Sequence, residues 1–418
     1  MEQHVQALVG SLRHHGLGPG DLIGVAPRND AVSVARLFAI PRTGAAGLIV
    51  DGRLTLAETA DRLGEAGAAA AFDGLAGLPD PRDGATRDQS VVVGADRDHS
   101  VLFTSGSTGR PKAVRLTWGN LEASAAASAA VLEHAPSERW YAALPLFHVG
   151  GLSILIRSAR EQSSVYLERS FDPRRAARLL IDGHATLGSL VAPMLRQILD
   201  VEAGPFRGVK ALLMGGAPSP LELLVQATDA GLGVLPTYGM TETASQIATR
   251  PLSHALRPGL TAVAIPGAEL RIGADGVIEV DGPMVSPGYL GEPDRAGWFR
   301  TSDVGTLVDG WLSVLGRADD VIISGGENIH PAEIERVISE VDGVKAVVVV
   351  GVPSDRWGEE VVGVVEGEVA PGALDRYARH HLAGFKVPKR WILVSAVPML
   401  GIGKPDRRAA RELAVDQS

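Results

Sequence analysis

The chain has 418 residues, of which 45% are hydrophobic and 21% charged, and its formal net charge is −9. This length suggests two or three domains with a large buried core, and the composition is that of an ordinary globular protein. The absence of cysteine excludes disulfides and thiolate chemistry of the protein's own, and a modest negative charge without a basic run argues against nucleic acid as a partner.

The first residues show no signal-peptide pattern, and no apolar stretch approaches the roughly 18 to 20 residues of a membrane-spanning helix. We therefore expect a cytoplasmic protein with no membrane span, whose partners are small molecules. Its 11 histidines form no close metal-ligand cluster. The sequence leaves the oligomeric state open, and a homo-oligomer is one alternative.

Helix-like and strand-like segments alternate along the chain, which predicts an α/β fold with mixed sheets. The first pair is a helix over residues 5–15 and a strand over residues 22–26, separated by a glycine-rich turn. A later helix, over residues 120–133, is rich in Ala and Ser, which allows close packing.

A loop rich in small and hydroxyl residues lies at residues 102–114, between two strand-like segments, and carries Lys112. Small residues let backbone N–H groups approach phosphate oxygens, and the lysine adds a positive charge. The loop is not a Walker A sequence, because Pro111 precedes the lysine and Ala113 follows it. We predict a polyphosphate-binding loop; a surface turn is the alternative.

Two predicted strands end in loops that carry candidate site residues. The strand over residues 140–144 runs into P-L-F-H-V-G-G, where His148 beside Phe147 is by itself typical of a core histidine. The strand over residues 210–214 ends at a second loop, and in open α/β sheets ligands bind just beyond such strand ends. A plain strand-to-helix turn is the alternative. That loop contains Gly215, Gly216 and Ala217.

Residues 236–246, P-T-Y-G-M-T-E-T-A-S-Q, combine an aromatic ring, a hydroxyl and a carboxylate. Tyr238 can stack on a purine, Thr241 can bond a phosphate, and Glu242 can bind Mg²⁺, which prefers oxygen ligands. The same residues also fit a helix N-terminus with Thr241 as its cap.

From about residue 269, short alternating strands separated by Asp-Gly pairs predict a small antiparallel β region. Within it, Asp303 follows a strand and can accept both hydroxyls of a ribose; a turn aspartate bonded to its own backbone is the alternative. A short charged segment then predicts a domain boundary between Arg317 and Asp319.

The last part of the chain reads as a small α+β unit. A helix over residues 331–341, a strand over residues 344–350 and a helix over residues 407–413 are predicted, with a polar turn at residues 324–328 before the first helix. Lys404 lies on a glycine-flanked loop ahead of the last helix, either as a solvated lysine or as a catalytic cation.

Taken in order, these segments resemble the motifs of the adenylate-forming enzymes, the superfamily of acyl-CoA synthetases, luciferases and peptide-synthetase adenylation domains. The resemblance spans about residues 8–413. It implies a large adenylation domain of mixed α/β sheets over residues 1–317, which binds ATP and the acyl substrate. It also implies a small mobile α+β domain over residues 318–418 that carries a catalytic lysine, Lys404, and pivots at Asp319.

The resemblance further implies roles for single residues. Catalytic roles fall to Lys404, Thr241, Glu242 and His148, and Glu242 holds Mg²⁺. Ser302 stands where the superfamily usually has glycine before the ribose-binding aspartate. The residues expected to contact ATP or CoA are Thr104, Ser105, Gly106, Ser107, Thr108, Gly109, Lys112, Gly215, Gly216, Ala217, Tyr238, Gly239, Asp303, Arg317, Gly325 and Gly326.

Two segments, Y-G-M-T-E-T-A-S-Q and F-H-V-G-G, are similar to one branch, the o-succinylbenzoate-CoA ligases of menaquinone biosynthesis. This similarity implies that ATP, Mg²⁺ and CoA convert o-succinylbenzoate into its CoA thioester with release of AMP and pyrophosphate. The sequence does not locate a basic pocket for the second carboxylate. Another acyl- or aryl-CoA ligase, a stand-alone adenylation domain and a non-catalytic adenylate-binding protein remain alternatives.

Overall fold

The computed structural model describes residues 1–72, 93–104, 111–256, 262–400 and 404–417, without the side chains of Asn328 and Lys404. Its strands form sheets of six, eleven and five strands and one two-stranded hairpin. Helices pack on the large sheets, so the predicted α/β class is confirmed. None of the helices in these ranges has the length and apolar character needed to cross a membrane.

The N-terminal part builds most of the six-stranded sheet. Strands β1 to β4 pair in parallel, and β5 adds to them antiparallel. β2 is buried along its whole length, as expected for a parallel strand covered on both faces. The elements are α1 (Glu2–His14), β1 (Leu22–Val25), α2 (Ala31–Arg42), β2 (Ala46–Ile49), α3 (Leu56–Glu65), β3 (Ala70–Ala71), β4 (Asp98–Thr104) and β5 (Lys112–Thr117).

The next part alternates helices with strands that pair in parallel in the order β7-β6-β8-β9-β10. This arrangement brings the carboxyl ends of β6, β9 and β10 to one edge, where ligands bind in open α/β sheets. The elements are α4 (Trp118–Leu132), β6 (Arg139–Ala142), α5 (Val149–Glu161), β7 (Ser164–Leu167), α6 (Pro173–Ile181), β8 (Leu187–Leu190), α7 (Ala192–Val201), β9 (Ala211–Met214), α8 (Leu221–Asp229) and β10 (Val234–Tyr238).

The predicted antiparallel β region is present, but it is not a separate sheet. β11 and β12 join it to β10, so that parallel and antiparallel strands form one sheet of eleven strands. β15 departs from this pattern and pairs with β5 of the six-stranded sheet. The elements are β11 (Ala248–Thr249), β12 (Ala262–Ala264), β13 (Glu269–Ile272), β14 (Val277–Asp281), β15 (Gly288–Tyr289), β16 (Phe299–Val308) and β17 (Trp311–Arg317).

The C-terminal part has its own sheet, in the order β19-β18-β21-β20 with β22 beside β21. It also has its own core, which includes Ile334, Val349, Val361 and Leu374. The elements are β18 (Ile322–Ser324), β19 (Glu327–Ile329), α9 (Pro331–Ile338), β20 (Val344–Ser354), β21 (Gly358–Gly367), α10 (Pro371–His381), β22 (Arg390–Val394), β23 (Met399–Leu400), β24 (Lys404–Pro405) and α11 (Arg407–Asp416).

The chain leaves the eleven-stranded sheet after Arg317, the last residue of β17, and enters the five-stranded sheet at Ile322, the first residue of β18. The division at residues 317 and 318 stays a prediction. The turn predicted for residues 324–328 is present as the end of the β18–β19 hairpin, and the strands take up residues 324, 327 and 328. Gly325 and Gly326 form its tip with φ of +61° and +84°, which favour glycine.

His99 makes the stability of the first sheet sensitive to acid. Its ring is buried beside Ser100 and meets Trp118 edge to face at 4.7 Å, and burial lowers its pKa to about 3. Between that value and its ordinary pKa of 6.5, the unfolded chain binds a proton that the folded protein does not. Stability therefore falls as the pH drops through this window.

We expect the unfolding free energy of wild type to fall by about 2 kcal/mol between pH 7 and pH 5 because of His99. The His99→Gln variant should not show this part of the loss. Urea unfolding at the two pH values measures the difference. The exposed His184 provides a matched control, and His184→Gln should follow wild type. An unchanged pH dependence in His99→Gln would contradict the account.

Candidate active site

The two halves of the eleven-stranded sheet meet at the carboxyl end of β10. The hydroxyl of Tyr238, on β10, donates a hydrogen bond of 2.8 Å to Oδ2 of Asp303, on β16. β16 lies four strands from β10 in the sheet order, which is about 19 Å in a flat sheet. The contact therefore requires a strongly curled sheet, whose concave side holds both residues.

Asp303 lies inside β16, so the expectation that it follows a strand, and the alternative of a turn aspartate, were both wrong. Its backbone N–H donates to Oγ1 of Thr301 at 3.0 Å, and that hydroxyl donates to the carbonyl of Ile278 at 2.8 Å. The register shifts after Val304, as in a β-bulge. Bulges re-aim side chains, and here Oδ2 of Asp303 meets Tyr238.

Arg317 stands opposite Asp303 in the register of β16 and β17, with Nη1 4.0 Å from Oδ1. The buried hydroxyl of Tyr238 completes a set of three polar groups. Burial and the charge of Asp303 raise the pKa of Tyr238, so the phenol stays protonated and acts as a donor at neutral pH. The arrangement holds a carboxylate in a fixed orientation, as bidentate recognition of two hydroxyls requires.

The loop after β10 turns back on itself so tightly that Gly239 has no room for a side chain. A Cβ on this residue would lie 1.7 Å from the carbonyl oxygen of Ser245. A 3₁₀ turn, Thr241–Thr243, follows, and Oγ1 of Thr243 accepts from the N–H of Met240 at 2.9 Å. Thr241 is therefore not the cap of an α-helix, and that alternative was wrong.

Glu242 projects from this 3₁₀ turn toward the six-stranded sheet. Its Oε1 accepts a hydrogen bond of 3.1 Å from the hydroxyl of Tyr289, on β15. The ammonium group of Lys112, at the start of β5, lies 4.8 Å from the centre of the same ring. Sequence reasoning missed Tyr289, although its signal was an aromatic residue directly after the Pro-Gly pair of residues 287 and 288.

The loops after β6 and β9 border the same edge. Two of the three small residues after β9 are glycines for which a side chain would be unfavourable. Gly216 has a φ of +84°, and a Cβ on Gly215 would lie 3.0 Å from Oγ1 of Thr237. His148 is half-buried, its ring lies 4.5 Å from the Phe147 ring at a tilt of 54°, and it occupies the N-cap position of α5 without a side-chain cap hydrogen bond. Both loops fit close approach of a ligand to the backbone. Ala217 lies next to Gly216 in the same loop.

Arg157, on α5, is a buried cation that sequence reasoning also missed. It is 1% exposed, it donates to Oγ of Ser245 at 3.2 Å, and its Nε has no partner among the described residues. Burial lowers its pKa to about 9, so it remains charged at neutral pH. No carboxylate of the described chain forms an ion pair with it, and the ring of Trp140, 5.8 Å from the guanidinium carbon, is its aromatic neighbour.

The structure describes only the ends of the predicted phosphate loop. The hydroxyl of Thr104 donates to the carbonyl of Lys112 at 3.4 Å. The other predicted loop contacts, and the side chain of Lys404, lie outside the described residues. The outside contacts are Ser105, Gly106, Ser107, Thr108 and Gly109.

The segment predicted as a hinge is bordered by two ion pairs. Asp319 lies in the 3₁₀ turn Ala318–Asp320 and accepts from Nη2 of Arg317 at 3.3 Å. The next residue, Asp320, accepts from Nε of Arg407 at 2.9 Å, at the start of α11. The first pair belongs to the end of β17, and the second ties Asp320 to the C-terminal part.

A family model described as AMP-binding enzyme matches residues 1–290, and one described as AMP-binding enzyme C-terminal domain matches residues 333–404. The chain belongs to the AMP-binding enzyme family. A 2-succinylbenzoate–CoA ligase from Listeria monocytogenes serotype 4b (strain F2365) is 35% identical, covering 99% of this chain and 93% of the relative. One from Geobacillus kaustophilus is 36% identical, covering 96% and 90%.

Solved structures of this family superpose on nearly the whole chain. The o-succinylbenzoate CoA synthetase (MenE) from Bacillus subtilis in complex with the acyl-adenylate intermediate OSB-AMP has a TM-score of 0.88 at 28% identity, covering 98% of this chain and 91% of that one. ATP-bound MatB from Rhodopseudomonas palustris has a TM-score of 0.90 at 27% identity, covering 99% and 93%.

The residues around Glu242 fit a magnesium ion only together with phosphate. The described residues contain no group of three His, Asp or Glu side chains that could hold a metal. Oε1 of Glu242 accepts from Tyr289, and the other carboxylate oxygen has no hydrogen bond among the described residues. One carboxylate plus phosphate oxygens and water is the usual environment of Mg²⁺ in nucleotide sites.

Proposed function

We propose that this protein is an AMP-forming carboxylate–CoA ligase that acts on 2-succinylbenzoate, with ATP and CoA as co-substrates and Mg²⁺ as cofactor. The observation that carries the proposal is the set of contacts at the carboxyl end of β10. In these contacts Asp303 accepts from Tyr238 and Glu242 accepts from Tyr289, which supports a ribose-binding role for the first carboxylate and a magnesium-binding role for the second. The choice of substrate is supported by relatives that match nearly the whole chain and are named 2-succinylbenzoate–CoA ligase.

The first half-reaction makes an acyl-adenylate. Asp303 accepts the ribose hydroxyls, and Gly215, Gly216 and Ala217 line the base next to Tyr238. The substrate carboxylate attacks the α-phosphorus of ATP, a new O–P bond forms, and pyrophosphate leaves. Mg²⁺ held by Glu242 would neutralise part of the phosphate charge. Lys112 and Lys404 aim positive charge at the phosphates, and Thr241 donates to the α-phosphate.

The second half-reaction transfers the acyl group. The thiol of CoA attacks the carbonyl carbon of the adenylate, a C–S bond forms, and AMP leaves with the electron pair of the broken C–O bond. The glycine tip of the β18–β19 hairpin, Gly325 and Gly326, gives pantetheine a surface without side chains. Lys404 cannot occupy the site in both steps, so the small domain pivots at Asp319.

Arg157 supports the assignment of a dicarboxylic acid. Of the two carboxylates of 2-succinylbenzoate, one reacts with ATP, and the other must be desolvated in the pocket with a charge partner. Arg157 is a buried cation in need of such a partner, and Ser245, which it contacts, directly follows the turn that carries Glu242. His148 lies at the other end of the same helix, where it borders the reacting carboxylate.

We expect Arg157→Leu to raise the KM for 2-succinylbenzoate about a hundredfold, because a buried charge pair loses one partner. The KM for ATP should not change. Pyrophosphate release measured against the concentration of each substrate tests this. Arg160, on the exposed part of the same helix and paired with Glu122, provides the matched control Arg160→Leu. An unchanged KM for the acid in Arg157→Leu would contradict the role.

A panel of carboxylic acids tests the proposed function itself. Pyrophosphate release should be selective for 2-succinylbenzoate over benzoate, succinate and medium-chain fatty acids. Selective release with a different acid would keep the reaction and reject the substrate. Silence across the panel, with intact ATP binding, would favour a non-catalytic adenylate-binding protein.

A further inference from the structure

Tyr289 lies between two residues of the proposed ATP site without belonging to any of the segments with predicted roles. Its backbone is fixed on both sides: β15 pairs with β5 in the register Tyr289 to Val114, and the N–H of Leu290 donates to the carbonyl of Ala113 at 2.8 Å. Three residues before Tyr289, the N–H of Ser286 donates to the carbonyl of Glu242 at 2.8 Å. The segment thus joins β5 to the loop after β10.

The side chain of Tyr289 makes two contacts of different kinds. Its hydroxyl donates to Oε1 of Glu242 at 3.1 Å, and its ring carries the ammonium group of Lys112 at 4.8 Å from the ring centre. A cation over the face of an aromatic ring at this distance is attracted by the negative charge of the ring face. One neutral side chain therefore orients both an anion and a cation.

The ring also separates those two charges. The described side chains of Lys112 and Glu242 form no direct ion pair, although both contact Tyr289. A direct pair would occupy the carboxylate that the metal needs and the ammonium group that the phosphates need.

We propose that Tyr289 is a positioning residue that holds Glu242 ready for the metal of MgATP and keeps Lys112 from pairing with it. The inference rests on the proposed function as far as ATP and Mg²⁺ are concerned, but not on the identity of the acid. Partners that orient a metal ligand typically contribute about 10- to 100-fold to metal affinity or activity.

The test is calorimetric binding of ATP to the intact protein with and without Mg²⁺, in the absence of any acid. Tyr289→Phe keeps the ring beneath Lys112 and removes only the hydroxyl. We expect it to reduce the Mg²⁺-dependent gain in ATP affinity about tenfold, with metal-free binding unchanged. Tyr289→Leu removes the ring as well and should also weaken metal-free binding, because Lys112 can then pair with Glu242.

Tyr377→Phe is the matched control, since Tyr377 donates to Glu340 at 3.2 Å in the C-terminal part, a similar bond elsewhere. It should leave both affinities unchanged. A wild-type Mg²⁺ dependence in Tyr289→Phe would overturn the proposal, as would an equal loss of metal-free and metal-bound affinity in both Tyr289 variants. Wild-type ATP binding with no turnover of 2-succinylbenzoate would reject the substrate while leaving this test valid.

Discussion

Lys404→Ala is expected to lower the rate of acyl-adenylate formation by at least about a hundredfold and to leave the affinity for ATP within a factor of about two. In the proposed mechanism the charge of this lysine acts where charge develops during pyrophosphate expulsion, whereas binding of the nucleotide before that step is assigned to Asp303 and Lys112. Single-turnover pyrophosphate release gives the rate, and calorimetry gives the affinity.

The backbone around Lys404 explains why its position depends on the whole C-terminal part. Lys404 pairs with Leu400 in the β23–β24 hairpin, and the N–H of Asp406 donates to the carbonyl of Pro398 at 3.0 Å. Arg407, two residues after Pro405, bonds Asp320 and Glu335. The backbone of Lys404 is therefore tied to the rest of the C-terminal part.

A lysine elsewhere in the same part of the chain supplies the control. Lys345 is exposed on β20, and Lys345→Ala should keep both the wild-type rate and the wild-type affinity. Pyrophosphate release at the wild-type rate in Lys404→Ala would remove this lysine from the adenylation step. A parallel loss of ATP affinity would assign it to nucleotide binding instead.

Asp319→Pro should slow thioester formation at least about tenfold more than adenylation, because proline fixes φ and restricts the residue before it. Arg317 ends β17, and Asp320 is bonded to Arg407. Ala318 and Asp319 are thus the residues left to absorb a rotation between the two anchored ends.

Asp319→Ala separates the torsional effect from the lost ion pair with Arg317. It removes the carboxylate but keeps a flexible backbone, so both half-reactions should stay near wild type. The measurements are single-turnover pyrophosphate release without CoA and thioester formation from the accumulated adenylate. Equal slowing of the two steps in Asp319→Pro, or the same defect in Asp319→Ala, would rule out a hinge at this position.

Much of the fold could be predicted from local patterns. The predicted helix over residues 407–413 is α11, Arg407–Asp416, and the strand over residues 210–214 is β9, Ala211–Met214. The spacing of hydrophobic residues and the position of turn residues determine such elements locally. The union of parallel and antiparallel strands in one sheet could not be predicted, because it depends on the short strands β11 and β12, whose two and three residues carry no periodic signal.

The candidate site, like the fold, could be predicted only in part. Tyr238, Glu242 and Asp303 stand out because polar groups cluster in short segments, and the structure brings them to one edge. Arg157 could not be singled out, because it is one residue in an ordinary helix, and Tyr289 was missed because an aromatic residue after a Pro-Gly pair does not reveal its partners. Their significance arises from partners 88 and 47 residues away in the chain, and such pairings are set by tertiary packing.

The central claim is that the chain joins 2-succinylbenzoate to CoA through an acyl-adenylate. The most direct measurement is mass spectrometry of a single-turnover reaction with ATP, Mg²⁺ and the acid, to which CoA is added only after pyrophosphate release is complete. The account predicts the 2-succinylbenzoyl adenylate before CoA is added, and its replacement by the CoA thioester and AMP afterwards. Formation of ADP, or a thioester without a preceding adenylate, would contradict it.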